Sequence, residues 1–216
     1  MSKAESLVQK TKRVEKIVNL FQRYRPNPKC ALNFENAEQL LIATILSAQC
    51  TDVRVNMVTE TLFKKYKTLK DFANCKIEEL EQDIRSTGFY KSKAKNIKAC
   101  ATVIVNEHGG KVPKDLETLI KLAGVGRKTA NVVLGNAYGI TSGVVVDTHV
   151  TRLSQRLDLS RSKGAEKIEE DLEKIVDKKH WINFSHWLIL HGREVCKARK
   201  PMCETCFLDE LCPKRL

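Results

Sequence analysis

The chain has 216 residues, 42% of them hydrophobic, and a formal net charge of +12. That length and apolar content support one or two packed domains and exclude a disordered chain. No stretch reaches the roughly 20 uninterrupted apolar residues of a membrane span and the N-terminus lacks the apolar core of a signal peptide, so the chain is expected to stay in its compartment of synthesis. The excess of lysine and arginine selects a polyanionic partner, nucleic acid ahead of an anionic membrane surface.

Over residues 3–24, Leu7, Val14, Ile17, Val18 and Phe21 mark a basic amphipathic helix, read as docking on the rest of the protein rather than on a membrane. Arg25-Pro26-Asn27-Pro28 ends it. Asn36 is a fitting N-cap, with Gln39 three residues on as in a capping box, and the helix it opens is expected to run to about Gln49. Ala37, Leu40, Leu41, Ile42, Ala43, Ile45, Leu46 and Ala48 surround that helix with apolar surface, which predicts a central, buried position. Gln49 at its end either caps it or meets a ligand. Thr51-Asp52 starts a helix to about Tyr66, and short helical pieces follow at 71–73 and 77–84. The turn at 86–93, STGFYKSK, carries two aromatics beside three hydroxyls and two lysines. Aromatics on an exposed, lysine-flanked turn either close a small core or wedge into and stack on bases. A helix over 94–106 stops at Gly109-Gly110, and Asp115 caps the first arm of a helical hairpin over 115–122.

The hairpin continues through Leu119 to Ala137, LIKLAGVGRKTANVVLGNA. Gly124-Val125-Gly126 makes a turn that a Cβ would obstruct, and Ala130, Val133, Leu134 and Ala137 then recur with helical spacing. Gly126 therefore sits at a helix N-terminus, where the first amides and the positive end of the dipole form a receptor for an anion, a phosphate above all. At about 100° per residue Lys128 lies opposite the apolar residues and faces away from the core. Such a lysine is ordinarily a solubilising charge. Here Val125 and Val132, at i−3 and i+4, are expected to strip it of water and Arg127 to add a second cation, conditions that favour a neutral amine nucleophile. A P-loop is excluded because Arg127 stands where glycine must precede the lysine. The dinucleotide fingerprint is excluded because Thr129 takes the place of its third glycine and no strand precedes the turn.

Gly139 ends the second arm and Gly143 falls in a short connection. Residues 144–150, VVVDTHV, have strand-like β-branching but no partner strand, so they are read as a buried extended segment in which Asp147 caps a helix over 148–156. Helices at 164–176 and 183–196, with Trp181 and Trp187 at or near the start of the second, complete an all-α series. Of the eight cysteines, Cys30, Cys50, Cys75 and Cys100 are scattered and read as reduced thiols. Cys196, Cys203, Cys206 and Cys212 follow C-x6-C-x2-C-x5-C, a loop able to enclose a zinc ion or an iron–sulfur cluster. With one C-x2-C knuckle instead of two, the spacing leans toward the cluster. Lys197, Arg199 and Lys200 lie between the first two cysteines, so either metal would fix a basic loop suited to DNA phosphates.

LAGVGRKTANVVL, VDTHVTRL and the four-cysteine tail, with LSAQCTD at 46–52 and TGFYKSKA at 87–94, resemble the endonuclease III family of DNA glycosylase/AP lyases in the helix-hairpin-helix superfamily. The resemblance spans residues 27–212. It implies two helical lobes, a six-helix barrel with the helix-hairpin-helix over 30–141 and an iron–sulfur cluster lobe from 1–29 and 142–216, with the active cleft between them. It implies that Lys128 attacks the anomeric carbon of a damaged deoxynucleotide, displaces the base and forms a Schiff base, and that β-elimination then cuts the strand 3′ to the abasic site. Asp147 would assist by charge stabilisation and proton handling. The target nucleotide would be flipped out, with Gln49 and Phe89 filling the gap. Gly124, Val125, Gly126 and Arg127 would hold backbone phosphate, and Lys197, Arg199 and Lys200 would add DNA contacts. Cys196, Cys203, Cys206 and Cys212 would hold a 4Fe-4S cluster. The implied partner is double-stranded DNA with a damaged base or an abasic site, bound by a monomer, in the cytoplasm if the source is bacterial.

Ala123 stands where the family commonly has proline, Phe89 replaces a frequent leucine, and the interval from Lys128 to Asp147 is about one residue longer than the common form. Two readings compete with the leading one. An adenine-mismatch glycosylase would lack the lysine and place a glutamate in the helix after Asn36, where none follows Glu38. A non-catalytic hairpin DNA-binding protein would use Lys128 only to touch phosphate.

Overall fold

The structure, a computed structural model, describes residues 5–214, so the start expected at Lys3 for the first helix lies outside the described residues. Contacts divide the chain into two compact units, Cys30–Ser142 and Met1–Lys29 with Gly143–Leu216. Among the described residues there is no strand, and no helix is long and apolar enough to cross a membrane.

Helix α1 (Leu7–Tyr24) opens with a closed capping box. Ser6 Oγ accepts from Gln9 N at 3.3 Å and Gln9 Oε1 accepts from Ser6 N at 2.9 Å, two donors satisfied reciprocally. Its stripe of Val14, Ile17, Val18 and Phe21 is buried, and Phe21 stacks on Trp187 with ring centroids 5.6 Å apart. The apolar face thus docks on protein. Trp187 Nε1 donates to Arg25 O, just past the helix, at 2.8 Å.

The Cys30–Ser142 unit holds α2 (Ala37–Leu46), α3 (Asp52–Lys65), α4 (Leu69–Asn74), α5 (Ile77–Asp83), α6 (Tyr90–Glu107), α7 (Leu116–Leu119) and α8 (Arg127–Tyr138). Helix α2 is the central element, contacted by α3, α6 and α8, as its all-round apolar surface requires. Leu40, Leu41, Ile42 and Leu46 are fully shielded from solvent, each such side chain contributing about 1.5–3 kcal/mol. The one polar residue buried among them, Thr44, returns its hydroxyl to Leu40 O at 2.7 Å, which satisfies it inside the helix.

Several boundaries depart from expectation. Helix α2 ends at Leu46 with Ser47 as C-cap; Ser47 Oγ donates to Thr44 O at 2.8 Å and Cys50 N turns back to Ser47 O. Gln49 therefore lies beyond the helix, in a turn, with φ 52°. Asn36 does cap α2, accepting from Gln39 N, but Gln39 Oε1 accepts from Glu35 N instead of closing the box on Asn36. Helix α6 begins at Tyr90, because Phe89 in the left-handed region acts as its N-cap and its carbonyl accepts from Lys93 N at 3.0 Å. The expected turn thus loses its last four residues to the helix. The first hairpin arm, α7, is shorter than the sequence pattern suggested.

The other unit adds α9 (Thr148–Arg156), α10 (Ala165–Glu173) and α11 (Trp181–Glu194). Val144, Val145 and Val146 are buried and lie outside any helix or strand. Cys30, Cys50, Cys75 and Cys100 are free thiols, and burial pushes the Cys100 thiol up to about 12, which makes it inert.

Candidate functional site

The hairpin turn is built from the backbone. Asp115 caps α7 through Thr118 N at 2.8 Å, Leu119 and Leu122 are buried, and Val125 N donates to Leu122 O at 3.1 Å. Gly124 has φ 74°, and a Cβ there would lie 2.9 Å from Asn96 Cβ, so both conformation and space demand glycine. Gly126 differs: its φ is −88°, and a Cβ would meet nothing within 4 Å. It is the N-cap of α8 with no side-chain cap bond, and its open side leaves room for a ligand atom to approach the first amides.

Arg127 and Lys128 are exposed in the first turn of α8, while Ala130, Val133 and Leu134 anchor the opposite face. Lys128 faces away from the core, as the helical pitch requires. The desolvation expected from Val125 is not supplied, because Val125 turns into the core, where it is 4% exposed. At the far end Gly139, at φ 66°, closes α8, and inside it Asn131 Oδ1 accepts from Ser142 Oγ at 2.7 Å.

Gln49 and Phe89 belong to the same unit. Both are exposed, Phe89 by 67%, and both have left-handed backbone, at φ 52° and 50°. Lys93, expected on the exposed turn, is instead buried in α6.

In the second unit the buried run 144–146 delivers Asp147 to the start of α9. Asp147 Oδ1 accepts from His149 N and Val150 N, both at 2.8 Å, so two amides fix the carboxylate's orientation. The half-buried His149 imidazole is held below its ordinary value by burial, against the opposing pull of Asp147. Farther along α9, Arg152 and Arg156 stand at i and i+4. The Arg152 guanidinium donates to Gly192 O at 2.9 Å and Cys196 O at 3.1 Å. Arg156 donates to Lys197 O at 2.7 Å, Ala198 O at 2.8 Å and Cys196 Sγ at 3.3 Å. One helix therefore carries the carboxylate at its head and grips the start of the cysteine loop near its end.

Cys196, Cys203, Cys206 and Cys212 are half-buried and surround a cavity also lined by His191 and Leu153. Among the described residues no three His, Cys, Asp or Glu side chains converge closely enough to hold a single metal ion. N–H groups approach two of the sulfurs, Arg156 donating to Cys196 Sγ and Lys214 N to Cys212 Sγ at 3.4 Å, and His191 Nε2 lies 3.3 Å from Cys206 Sγ, its role set by its tautomer. Burial pushes the Cys206 and Cys212 thiols up, so their deprotonation needs a compensating positive charge such as a metal supplies. Lys197, Arg199 and Lys200 are exposed on the loop. Arg152, Arg156 and His191 are not singled out by the sequence, and Lys93 is there only one of two lysines of an exposed turn. The arginine pair left a trace in its helical spacing, whereas the buried lysine left none.

Comparison with known proteins agrees with this architecture. Residues 42–178 match the HhH-GPD superfamily of base excision DNA repair proteins. The chain is 49% identical over 207 residues to an endonuclease III of Synechocystis sp., covering 96% of this chain and 94% of that protein. A solved endonuclease III–DNA trapped covalent intermediate superposes with a TM-score of 0.89 at 43% identity, over 94% of this chain and 96% of the other. A thermostable thymine-DNA glycosylase superposes at 0.84 with 25% identity, over 96% and 97%. By sequence and by fold, the chain belongs to the endonuclease III family of HhH-GPD base excision DNA repair proteins.

Proposed function

We propose that this chain releases oxidised pyrimidines from double-stranded DNA and then cuts the strand 3′ to the resulting abasic site, with Lys128 as nucleophile and Asp147 as the assisting carboxylate. The observation that carries the reading is an exposed lysine in the first turn of a helix that opens on a glycine turn, with no side-chain cap over the helix start. Phosphate held at Gly124, Val125, Gly126 and Arg127 would place a deoxyribose against that amine. Lys128 Nζ bonds to C1′ as the N-glycosidic bond breaks and the base departs with a proton. Opening of the sugar gives a protonated Schiff base; loss of a C2′ proton expels the 3′ phosphate, and water then releases the lysine. Asp147, its orientation fixed by two amides, stabilises the positive charge that develops on the sugar and moves protons between steps. That a relative has been solved as a trapped covalent intermediate with DNA supports a reaction that passes through a protein–DNA bond.

Gln49 and Phe89 fill the space left by the flipped nucleotide, and their exposure on fixed turns suits that task. Cys196, Cys203, Cys206 and Cys212 hold a 4Fe-4S cluster. Four thiols around a cavity, with N–H groups of Arg156 and Lys214 near two of the sulfurs, suit a multinuclear group better than one ion. When bound, it cross-links the thiolates and fixes the loop that presents Lys197, Arg199 and Lys200 to phosphates. The Cys30–Ser142 unit then corresponds to the barrel lobe and the other unit to the cluster lobe.

The test is a panel of duplexes bearing oxidised pyrimidines, an adenine mismatch or an abasic site. Base release with a nick is expected on the oxidised pyrimidines, and a nick alone on the abasic site. Release of mismatched adenine only, or binding without any cleavage, would overturn the reading. Visible absorbance that bleaches on acid treatment is expected for the cluster and would be missing from a zinc protein.

A further inference from the structure

Lys93 is a buried lysine, 4% exposed, and its ammonium donates to Leu46 O at 2.7 Å and Thr87 O at 2.8 Å. Each acceptor sits at the end of an element. Leu46 O belongs to the last turn of α2, where carbonyls lose their intrahelical partners and the helix end carries partial negative charge; Cys50 N, four residues on, has turned to Ser47 O instead. Thr87 O ends the 3-10 turn Arg85–Thr87. Three residues past Leu46 stands Gln49, and two residues past Thr87 stands Phe89. Among the described residues of the Cys30–Ser142 unit, these two are the only non-glycine residues with left-handed backbone. That conformation is costly for any residue with a Cβ and persists only where its surroundings hold it. A buried ammonium in turn needs acceptors that replace its water. Burial holds the Lys93 amine below its ordinary value, with Cys50 opposing.

We propose that Lys93 is a positioning residue for the repair reaction: by tying the chain just before Gln49 to the chain just before Phe89, it sets the two side chains at one fixed spacing, so that they enter the gap in the duplex together. The inference rests on the assignment of Gln49 and Phe89 as gap-filling residues. It makes the two turns one device, held from beneath by a side chain that never touches DNA.

The experiment compares wild type, Lys93→Met, Gln49→Ala/Phe89→Ala and the triple variant, each as the full protein. Dissociation constants are measured for an undamaged duplex and for one with a tetrahydrofuran abasic analogue, and 2-aminopurine opposite the analogue reports unstacking by fluorescence. Loss of folded protein lowers both affinities alike, so the ratio of the two constants reads positioning rather than stability. Lys93→Met is expected to lower that ratio about tenfold and to remove most of the fluorescence rise, and to add nothing in the Gln49→Ala/Phe89→Ala background, because residues acting through one another are not additive. If Lys93→Met does not fold, Lys93→Gln, which keeps donors for one carbonyl, is expected to give a loss of about threefold. An unchanged ratio in the lysine variant while the double variant is impaired would overturn the positioning role alone. A double variant equal to wild type would overturn the gap-filling assignment and the inference with it.

Discussion

The two units hold their proposed chemistry by different physical means. In Cys30–Ser142, Lys128 follows a turn, and Gln49 and Phe89 sit on turns, whose shape is set by backbone conformation: a glycine at φ 74° with no room for a Cβ, and two left-handed residues next to helices. In the other unit, Asp147 and the basic loop are tied to one helix by side chains, with amides on the carboxylate and two arginines on the carbonyls of residues 192–198. A turn defined by its backbone leaves side chains free to meet a ligand. A loop too long to define itself needs donors brought from elsewhere in the fold.

Substitutions that separate holding from reacting sharpen this contrast. Asp147→Asn keeps an oxygen that can accept from His149 N and Val150 N, so stability should change by less than about 0.5 kcal/mol, while single-turnover cleavage should fall by about 100-fold or more. Equal activity in the two forms would reduce Asp147 to a cap. Arg156→Leu removes the donors to Lys197 O, Ala198 O and Cys196 Sγ. It should cost about 1.5–3 kcal/mol in urea unfolding and weaken the salt dependence of DNA binding, as the basic loop loses its fixed shape. In the glycine turn, Gly124→Ala should cost about 1–2 kcal/mol through its φ and the contact with Asn96. Gly126→Ala should stay within about 1 kcal/mol, yet weaken binding to abasic duplex about tenfold by placing a methyl group where phosphate must approach. If the two alanines behaved alike, backbone demand and ligand demand would not be separable in this turn.

What could be read beforehand was local. Asn36, Asp115 and Asp147 announced helix starts because capping is a relation between residues two or three apart, and α2 announced its burial because its apolar residues leave no polar face. Gly124 and Gly126 marked the turn, although sequence could not tell that Asn96 leaves no room for a Cβ at the first while a Cβ at the second would meet nothing within 4 Å. Long-range relations stayed hidden. Lys93 reads as a surface cation because lysines usually are, and one of its two acceptors lies 47 residues away. Val125 seemed placed to dry Lys128, but its side chain is buried in the core. Gln49 read as the last residue of α2, whereas the Ser47 and Cys50 turn ends that helix three residues sooner.

The central claim is that the Lys128 amine becomes covalently bonded to the sugar. Borohydride reduction during reaction with abasic duplex, followed by proteolysis and mass spectrometry of the adduct, tests it most directly. The expected result is one modified peptide carrying a reduced deoxyribose fragment on Lys128, and no adduct from Lys128→Ala at matched DNA occupancy. An adduct on another residue, or no adduct from wild-type protein that still nicks the strand, would contradict it.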